Sequence, residues 1–421
     1  MNYSSVLAES PQGIFKETEL GPLPGNWAVS CIAESCYRPE YGYTASAEQE
    51  PVGPRFLRIT DIQEQGVNWQ TVPYCRCDED TKRKHRLQPG DLLFARIGAT
   101  TGKSFLVRSC PDAVYASYLI RVRAKGVDPD FLYYFCNSEM YWRQINANKG
   151  DKLKGGVSGS VLAQVRHCLP PLPEQRAIAA VLSKIQAAAE VQEKIVTTLK
   201  ELKAATMAKL FREGLRGEPL KQTEIGEIPE SWRVKRFGDF ATLQRGYDLP
   251  IHQRAHGNIP VVGSNGIVGY HNKAMAKGPG VATGRSGTMG FSFYCETDFW
   301  PLNTALFVVD FHGNAPLFVH YFFEQFDFQR YAAGVSVPTL NRNLVHEALI
   351  AVPLPEEQIQ IANIIRDIDR ALTLASEKRA KSKSLFSSML HLLMTGQVRV
   401  SRLMETRNDL GLDRVAEERP Q

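Results

Sequence analysis

Several stretches of this 421-residue chain hold residue types that do chemistry, and the first to test is Gly98-Ala-Thr-Thr-Gly102-Lys103-Ser104. It follows an apolar run, as a phosphate-cradling loop would. Such a loop needs four residues between its two glycines, and here there are three; the position a glycine should fill is Ile97, whose Cβ opposes the turn. The run Asp78-Glu79-Asp80 ahead of Lys82 carries the residue types of a nuclease metal site, but an acidic turn beside a basic loop has the same composition. No HExxH or GxSxG occurs, and Leu169-Pro-Pro-Leu172 lacks the polar lead and the aromatic of an amino-methylase motif. The eight cysteines form no CxxC pair, and Cys75 and Cys77 are too close together for a zinc knuckle, so reduced thiols and no metal are expected.

What remains is chemistry suited to nucleic acid. Lys82-Arg83-Lys84-His85-Arg86 is a compact basic run, and Lys149, Lys152 and Lys154 sit among glycines that let backbone approach a phosphate. Arg96 and Arg285 each end an apolar run and enter a glycine turn, a placement that projects a guanidinium fork towards a base edge. Asn265 in Gly263-Ser-Asn-Gly266, with His271, Asn272 and Lys273, adds short polar donors. Arg58, Lys103, Ser286 and Arg342 complete the candidate DNA-binding set. Loop lysines would hold phosphates, and Arg and Asn would read bases.

These residues must be positioned by a framework, and the chain repeats its framework. Lys16-Glu-Thr-Glu-Leu-Gly-Pro-Leu-Pro-Gly-Asn-Trp27 returns as Lys221-Gln-Thr-Glu-Ile-Gly-Glu-Ile-Pro-Glu-Ser-Trp232. Pro171-Leu-Pro-Glu-Gln175 returns as Pro353-Leu-Pro-Glu-Glu-Gln358, and each copy opens a long helical pattern closed by Gly214 or Gly396. Steps of three and four place Ile178, Val181, Ile185, Ala188, Gln192, Ile195, Leu199 and Leu202 on one predicted seam. Ile361, Ile364, Ile368, Ala371, Ala375, Lys378, Ser382 and Leu385 form the matching one. Helices this long, about 55–60 Å, would project beyond a domain of about 150 residues, which favours pairing with each other.

Between the helices, Phe56–Ile62, Asp91–Ile97, Ser104–Val107, Ile259–Val262, Ala305–Val309 and Leu349–Val352 read as strands. Phe131–Asn146 and Pro316–Tyr331 read as amphipathic helices. The expected class is α+β: a first α/β domain over residues 1–170, a long helix over 171–216, a second domain over 217–352, a second helix over 353–400 and a charged tail over 401–421. The net charge of +5 permits a polyanionic partner. No apolar run approaches the roughly 18 residues of a membrane span, and the first residues lack a basic-then-apolar leader, so a cytoplasmic protein is expected.

The duplicated Gly-x-x-Pro-x-x-Trp lead-ins (Gly21–Trp27, Gly226–Trp232) and the duplicated helix openings resemble the specificity subunits of Type I restriction–modification enzymes. Phe56–Ile62, Gly90–Gly98 and Val262–Tyr270 are similar to stretches of that family. The resemblance covers about residues 15–400. It implies two target recognition domains in internal repeat and pseudo-twofold arrangement, separated by two antiparallel coiled-coil helices, each domain reading half of a split asymmetric DNA target. It also implies two DNA adenine methyltransferase subunits as partners and, in the full phage-defence enzyme, ATP-driven restriction subunits. S-adenosylmethionine, ATP and magnesium would then belong to those partners, with no cofactor and no catalytic residue in this chain. Two other readings stay open from residues alone: an enzyme cleaving DNA or hydrolysing nucleotides through Asp78–Lys82 or Gly98–Ser104, and a scaffold built on its helices.

Overall fold

A computed structural model describes residues 15–63, 66–148, 156–333 and 339–400. The chain divides into two compact units, residues 1–193 with 378–421, and residues 194–377. In the first, β1 (Glu40–Tyr41), β2 (Asp91–Ala95), β3 (Ser104–Leu106) and β4 (Leu119–Arg123) form one antiparallel sheet in the order β1-β4-β2-β3. In the second, β5 (Thr242–Arg245), β6 (Gly280–Gly284), β7 (Ser292–Cys295) and β8 (Ala305–Asp310) repeat that order as β5-β8-β6-β7. Each unit also has a parallel strand pair, Arg55–Leu57 with Ala113–Tyr115 and Ile259–Gly263 with Trp300–Pro301. The internal repeat is therefore one of topology as well as of motif.

Strand β2 shows why an unbroken apolar run folds as strand here. Successive side chains point to opposite faces. Leu92 and Phe94 enter the core that receives the long helices, while Leu93 enters a second core under the parallel pair. Strand β8 does the same, with Leu306 and Val308 on one side and Phe307 on the other. A strand covered on both faces has no polar alternation to display.

The predicted strand over Phe56–Ile62 stops at Leu57 and continues as a 3-10 turn, Ile59–Asp61. There the Arg58 fork closes on Asp61 at 2.8 and 3.0 Å and pulls the chain out of extension. The expected helix over Phe131–Asn146 is two, Pro129–Phe135 and Glu139–Asn148, separated at Cys136–Ser138. That over Pro316–Tyr331 ends at Gln325 and is followed by a 3-10 turn, Phe328–Tyr331.

The two long helices span Leu172–Glu213 and Pro355–Met394, and they pack together. In the first unit Glu193 meets Arg379 at 3.0 Å and Lys383 at 2.9 Å. In the second Lys203 meets Asp369 at 2.9 Å, so a later position on one helix faces an earlier position on the other. That order is antiparallel. The seam is not the one expected, however. Ile195 (40%), Leu202 (48%), Ile364 (38%) and Leu385 (52%) are exposed, and so is Ala371. Of the expected seam, Ile178, Ile361 and Ala375 are buried; the buried line otherwise runs through Leu182, Val196, Met207 and Leu210 on the first helix, and Ile365, Leu390 and Leu393 on the second. A strict seven-residue count drifts about 20° per heptad against a 3.6-residue helix. Drift alone does not account for the difference, since Ile364 is exposed one step from the buried Ile361 while Ala375 further on is buried; the buried face follows the packing of each helix on its unit's core. Val181, Ile185, Leu199 and Ile368 are half-buried beside that line.

The repeated sequence motifs prove to be one junction built twice. The buried Trp27 indole donates to Glu174 at 3.1 Å, and that of Trp232 donates to Glu357 at 3.3 Å. Arg399 pairs with Glu174 at 2.7 Å, and Arg216 with Glu357 at 3.7 Å. Gln175 and Gln358 each give their amide N–H to the carbonyl five residues back, of Pro170 and Pro353, and accept from a backbone N–H, of Asp128 and Ala315. Gly214 (φ +66°) and Gly396 (φ +67°) end the long helices in the left-handed region, where any Cβ would run into Glu357 or Pro24. Each tryptophan thus fixes the start of one long helix beside the end of the other.

Candidate nucleic-acid interface

The two arginine turns occupy the same place in the two sheets. Arg96 leaves β2 and donates its N–H to the Tyr118 carbonyl at 2.9 Å; Arg285 leaves β6 and donates to the Thr304 carbonyl at 2.9 Å. Gly98 (φ +84°) and Gly287 (φ +82°) then turn the chain back. In the first unit the turn joins β2 to β3, so Ser104 opens a strand. A phosphate-cradling loop requires a helix there, and the hairpin excludes that reading of Gly98–Ser104. Lys103 is exposed on this hairpin.

Around Arg96 the surface is aromatic. Its guanidinium lies 5.1 Å from the Tyr41 ring centre, and Tyr118 beside it is 53% exposed. The Arg96 carbonyl accepts from Val157 N at 2.9 Å. Gly156 approaches so closely that a Cβ would strike that carbonyl, which is why glycine precedes Val157. Arg58 lines a shallow hollow with Tyr118, although its fork is held by Asp61. Lys152 and Lys154 lie outside the described residues.

The basic run is a short helix, Glu79–His85, and the acidic turn before it is its cap. Asp78 accepts from Thr81 N at 2.7 Å. Lys82 bonds Asp112 at 2.8 Å, and that carboxylate holds its ammonium above the ordinary lysine range. Arg83 pairs with Asp80 at 2.9 Å. His85 is buried, and burial lowers its pKa. Lys84 alone of this run is exposed with no side-chain partner among the described residues. No group of three metal-ligating side chains occurs among the described residues. Asp78–Lys82 thus has a structural role that accounts for its composition.

In the second unit the hairpin turn carrying Asn265 packs on the arginine turn, since a Cβ on Gly284 would meet the Ser264 carbonyl at 3.0 Å. Asn265 and Lys273 are exposed. His271 is not: it is buried, accepts from Ala255 N at 3.1 Å and meets the Trp300 ring edge-on, so it is a packing residue rather than a surface donor. Ser286 is half-buried and bridges to Thr339. Arg285 and Arg342 line one open hollow together with Arg245, Asn341 and Asn343. Arg245 ends β5 just before Gly246 and escaped sequence reasoning, because the register that sets β5 against β8 and brings it to Arg285 is a tertiary fact.

A profile of the Type I restriction modification DNA specificity domain matches this chain twice, over residues 55–204 and 229–383. The chain belongs to that family. Each match takes in one arginine turn and a large part of one long helix, so the family's repeat is the repeat seen in the structure. Among curated relatives in the specificity family, the putative Type I restriction enzyme MjaX specificity subunit of Methanocaldococcus jannaschii is 29% identical over 53% of this chain. The chain spans about half the length of that relative, 55%. The MjaVIII specificity subunit of the same organism is 21% identical over 77% of this chain and 82% of its own. The EcoKI specificity subunit of Escherichia coli is 26% identical over 46% of this chain and 41% of its own. The fold is shared with the specificity subunit of a Type I system from M. genitalium, at a TM-score of 0.61 and 15% identity over 88% of this chain and 96% of that one. No described helix is long and apolar enough to cross a membrane.

Proposed function

We propose that the chain is the DNA-recognition subunit of a Type I restriction–modification enzyme, reading a split, asymmetric duplex target with one unit on each half. The observation that carries this is the duplicated turn: Arg96 and Arg285 leave equivalent strands through equivalent hydrogen bonds into left-handed glycines. Two like sites on one polypeptide suit a target in two parts, and divergent surroundings suit two different half-sequences. The long helices would set the distance between the halves. Two adenine methyltransferase subunits, and in the full enzyme ATP-driven restriction subunits, would be directed to the target by this chain. S-adenosylmethionine, ATP and magnesium would act on those partners.

The test is selection of randomised duplexes by the purified chain, with its methyltransferase where solubility requires it. The expected product is one motif with two defined blocks and an undefined gap, bound with an affinity that falls steeply with salt. An undivided motif, or no enrichment, would refute the reading.

A further inference from the structure

Three guanidinium groups from three separate segments line the hollow of the second unit: Arg245 from the end of β5, Arg285 from the glycine turn, and Arg342 from the segment after Leu340. None of the residues lining it is a carboxylate. Of the eight other arginines of this unit, four are answered by acids among the described residues: Arg212–Glu213, Arg216–Glu357, Arg236–Glu347 and Arg370–Asp367. The side chains of Arg245 and Arg342 form no ion pair or hydrogen bond among the described residues. Gathering like charges without an internal anion costs Coulomb energy that solvent screens only in part, and an anionic partner would relieve it.

The three are not equivalent. Arg285 is half-buried and gives one Nη1–H to the Asn303 carbonyl at 3.3 Å, which restricts the direction of its fork. Arg245 and Arg342 are exposed. An oriented fork suits two adjacent acceptors in one plane, and in duplex DNA the N7 and O6 of guanine are that pair. Unfixed guanidinium groups suit phosphates, where direction matters less. The counterpart Arg96 lies instead over the Tyr41 ring, so the first unit offers a different surface at the same strand end.

We propose that this hollow is a guanine-reading site: Arg285 recognises the N7/O6 edge of one guanine in the half-site read by the second unit, and Arg245 and Arg342 hold the phosphates that flank it. The proposal rests on the reading of the chain as a split-target DNA-binding subunit.

The experiment uses the full chain, with its methyltransferase if needed, and the selected duplex. 7-deazaguanine, which lacks the N7 acceptor, replaces each guanine of the second unit's half in turn. One such replacement should weaken binding roughly 10-fold or more. Arg285→Lys, which keeps the charge and loses the fork, should bind the unmodified duplex as weakly and become indifferent to that replacement, with the salt dependence unchanged. Arg245→Ala and Arg342→Ala should weaken all duplexes uniformly and each lower the salt slope by about one. Unchanged melting temperatures would show that these exposed positions leave folding alone. A split motif whose second half lacks guanine, or is insensitive to every 7-deaza replacement, overturns this proposal and leaves the DNA-recognition reading standing. Absence of any split motif overturns both.

Discussion

At the scale of single residues, the arginine turns and the tryptophan junctions make opposite demands. Arg96 is exposed and free to engage a partner, so its removal should be felt in binding alone. Arg96→Ala is expected to cost about 1–3 kcal/mol of DNA affinity and to relax only the half-site of the first unit, measured by competition between duplexes altered in one half at a time. A loss shared equally by all sequences would make Arg96 a phosphate contact. Glu357 is fully buried and accepts from the Trp232 indole and from Leu215 N at 2.8 Å. Glu357→Ala leaves both donors unanswered and should lower folding stability by about 2–3 kcal/mol in urea titrations, with Glu357→Gln milder because it keeps an acceptor. A loss under about 0.5 kcal/mol would remove the junction from the account. Glu357 and Trp232 were visible in the sequence because both recur at fixed offsets from their partners in the first half. His271 was misread because a polar residue in a glycine-rich stretch looks exposed until tertiary packing covers it, here by Trp300. Arg245 was missed for the converse reason: it gains meaning only from Arg285 and Arg342, distant in sequence.

At the scale of elements, the long helices were legible in existence and extent but not in phase. Composition and proline placed their starts, and glycine their ends. The buried face was fixed by packing on the sheets, which a heptad count cannot see. Leu182→Ala should therefore cost about 2–5 kcal/mol, whereas Leu202→Ala, on the predicted but exposed line, should stay within about 0.5 kcal/mol. Equal costs in chemical denaturation would restore the heptad seam. The same helices carry a polar network in the second unit. Lys203 bonds Glu324 at 3.1 Å and Asp369 at 2.9 Å, Tyr321 donates to Asp369 at 2.8 Å, and His320 shares a 2.8 Å hydrogen bond with Ser292. Burial pushes His320 down to about 4, with the neighbouring Lys203 charge adding to the effect. The unfolded chain takes up this proton near the ordinary histidine value of about 6.5, and the folded one does not until about 4. The histidine therefore contributes its full stability above that ordinary value and loses it as pH falls towards 4. Glu324, raised by burial, opposes this on the same acid limb. The clean comparison is His320→Gln: the stability of the natural chain over the variant should shrink by on the order of 2 kcal/mol between pH 7 and 4.5. A difference independent of pH would mean that His320 is not held neutral.

At the scale of the whole molecule, one polypeptide carries the same α/β unit twice with different surfaces at the same strand ends. The repeat was plain in the sequence because the junction residues cannot vary independently: tryptophan, glutamate, arginine and glycine meet in each copy. The recognition surfaces were only partly legible, because they are assembled from short segments whose partners are set by the sheet. Under the proposed reading the chain confers specificity on an enzyme it accompanies, and that is the central claim. The direct measurement is base-by-base mapping of adenine methylation in DNA from cells that express this chain together with its neighbouring methyltransferase. The account predicts methylation confined to one motif in two defined blocks, lost in one block alone when Arg96 or Arg285 is replaced. Methylation that is unchanged without this chain, or spread over undivided sites, would contradict it.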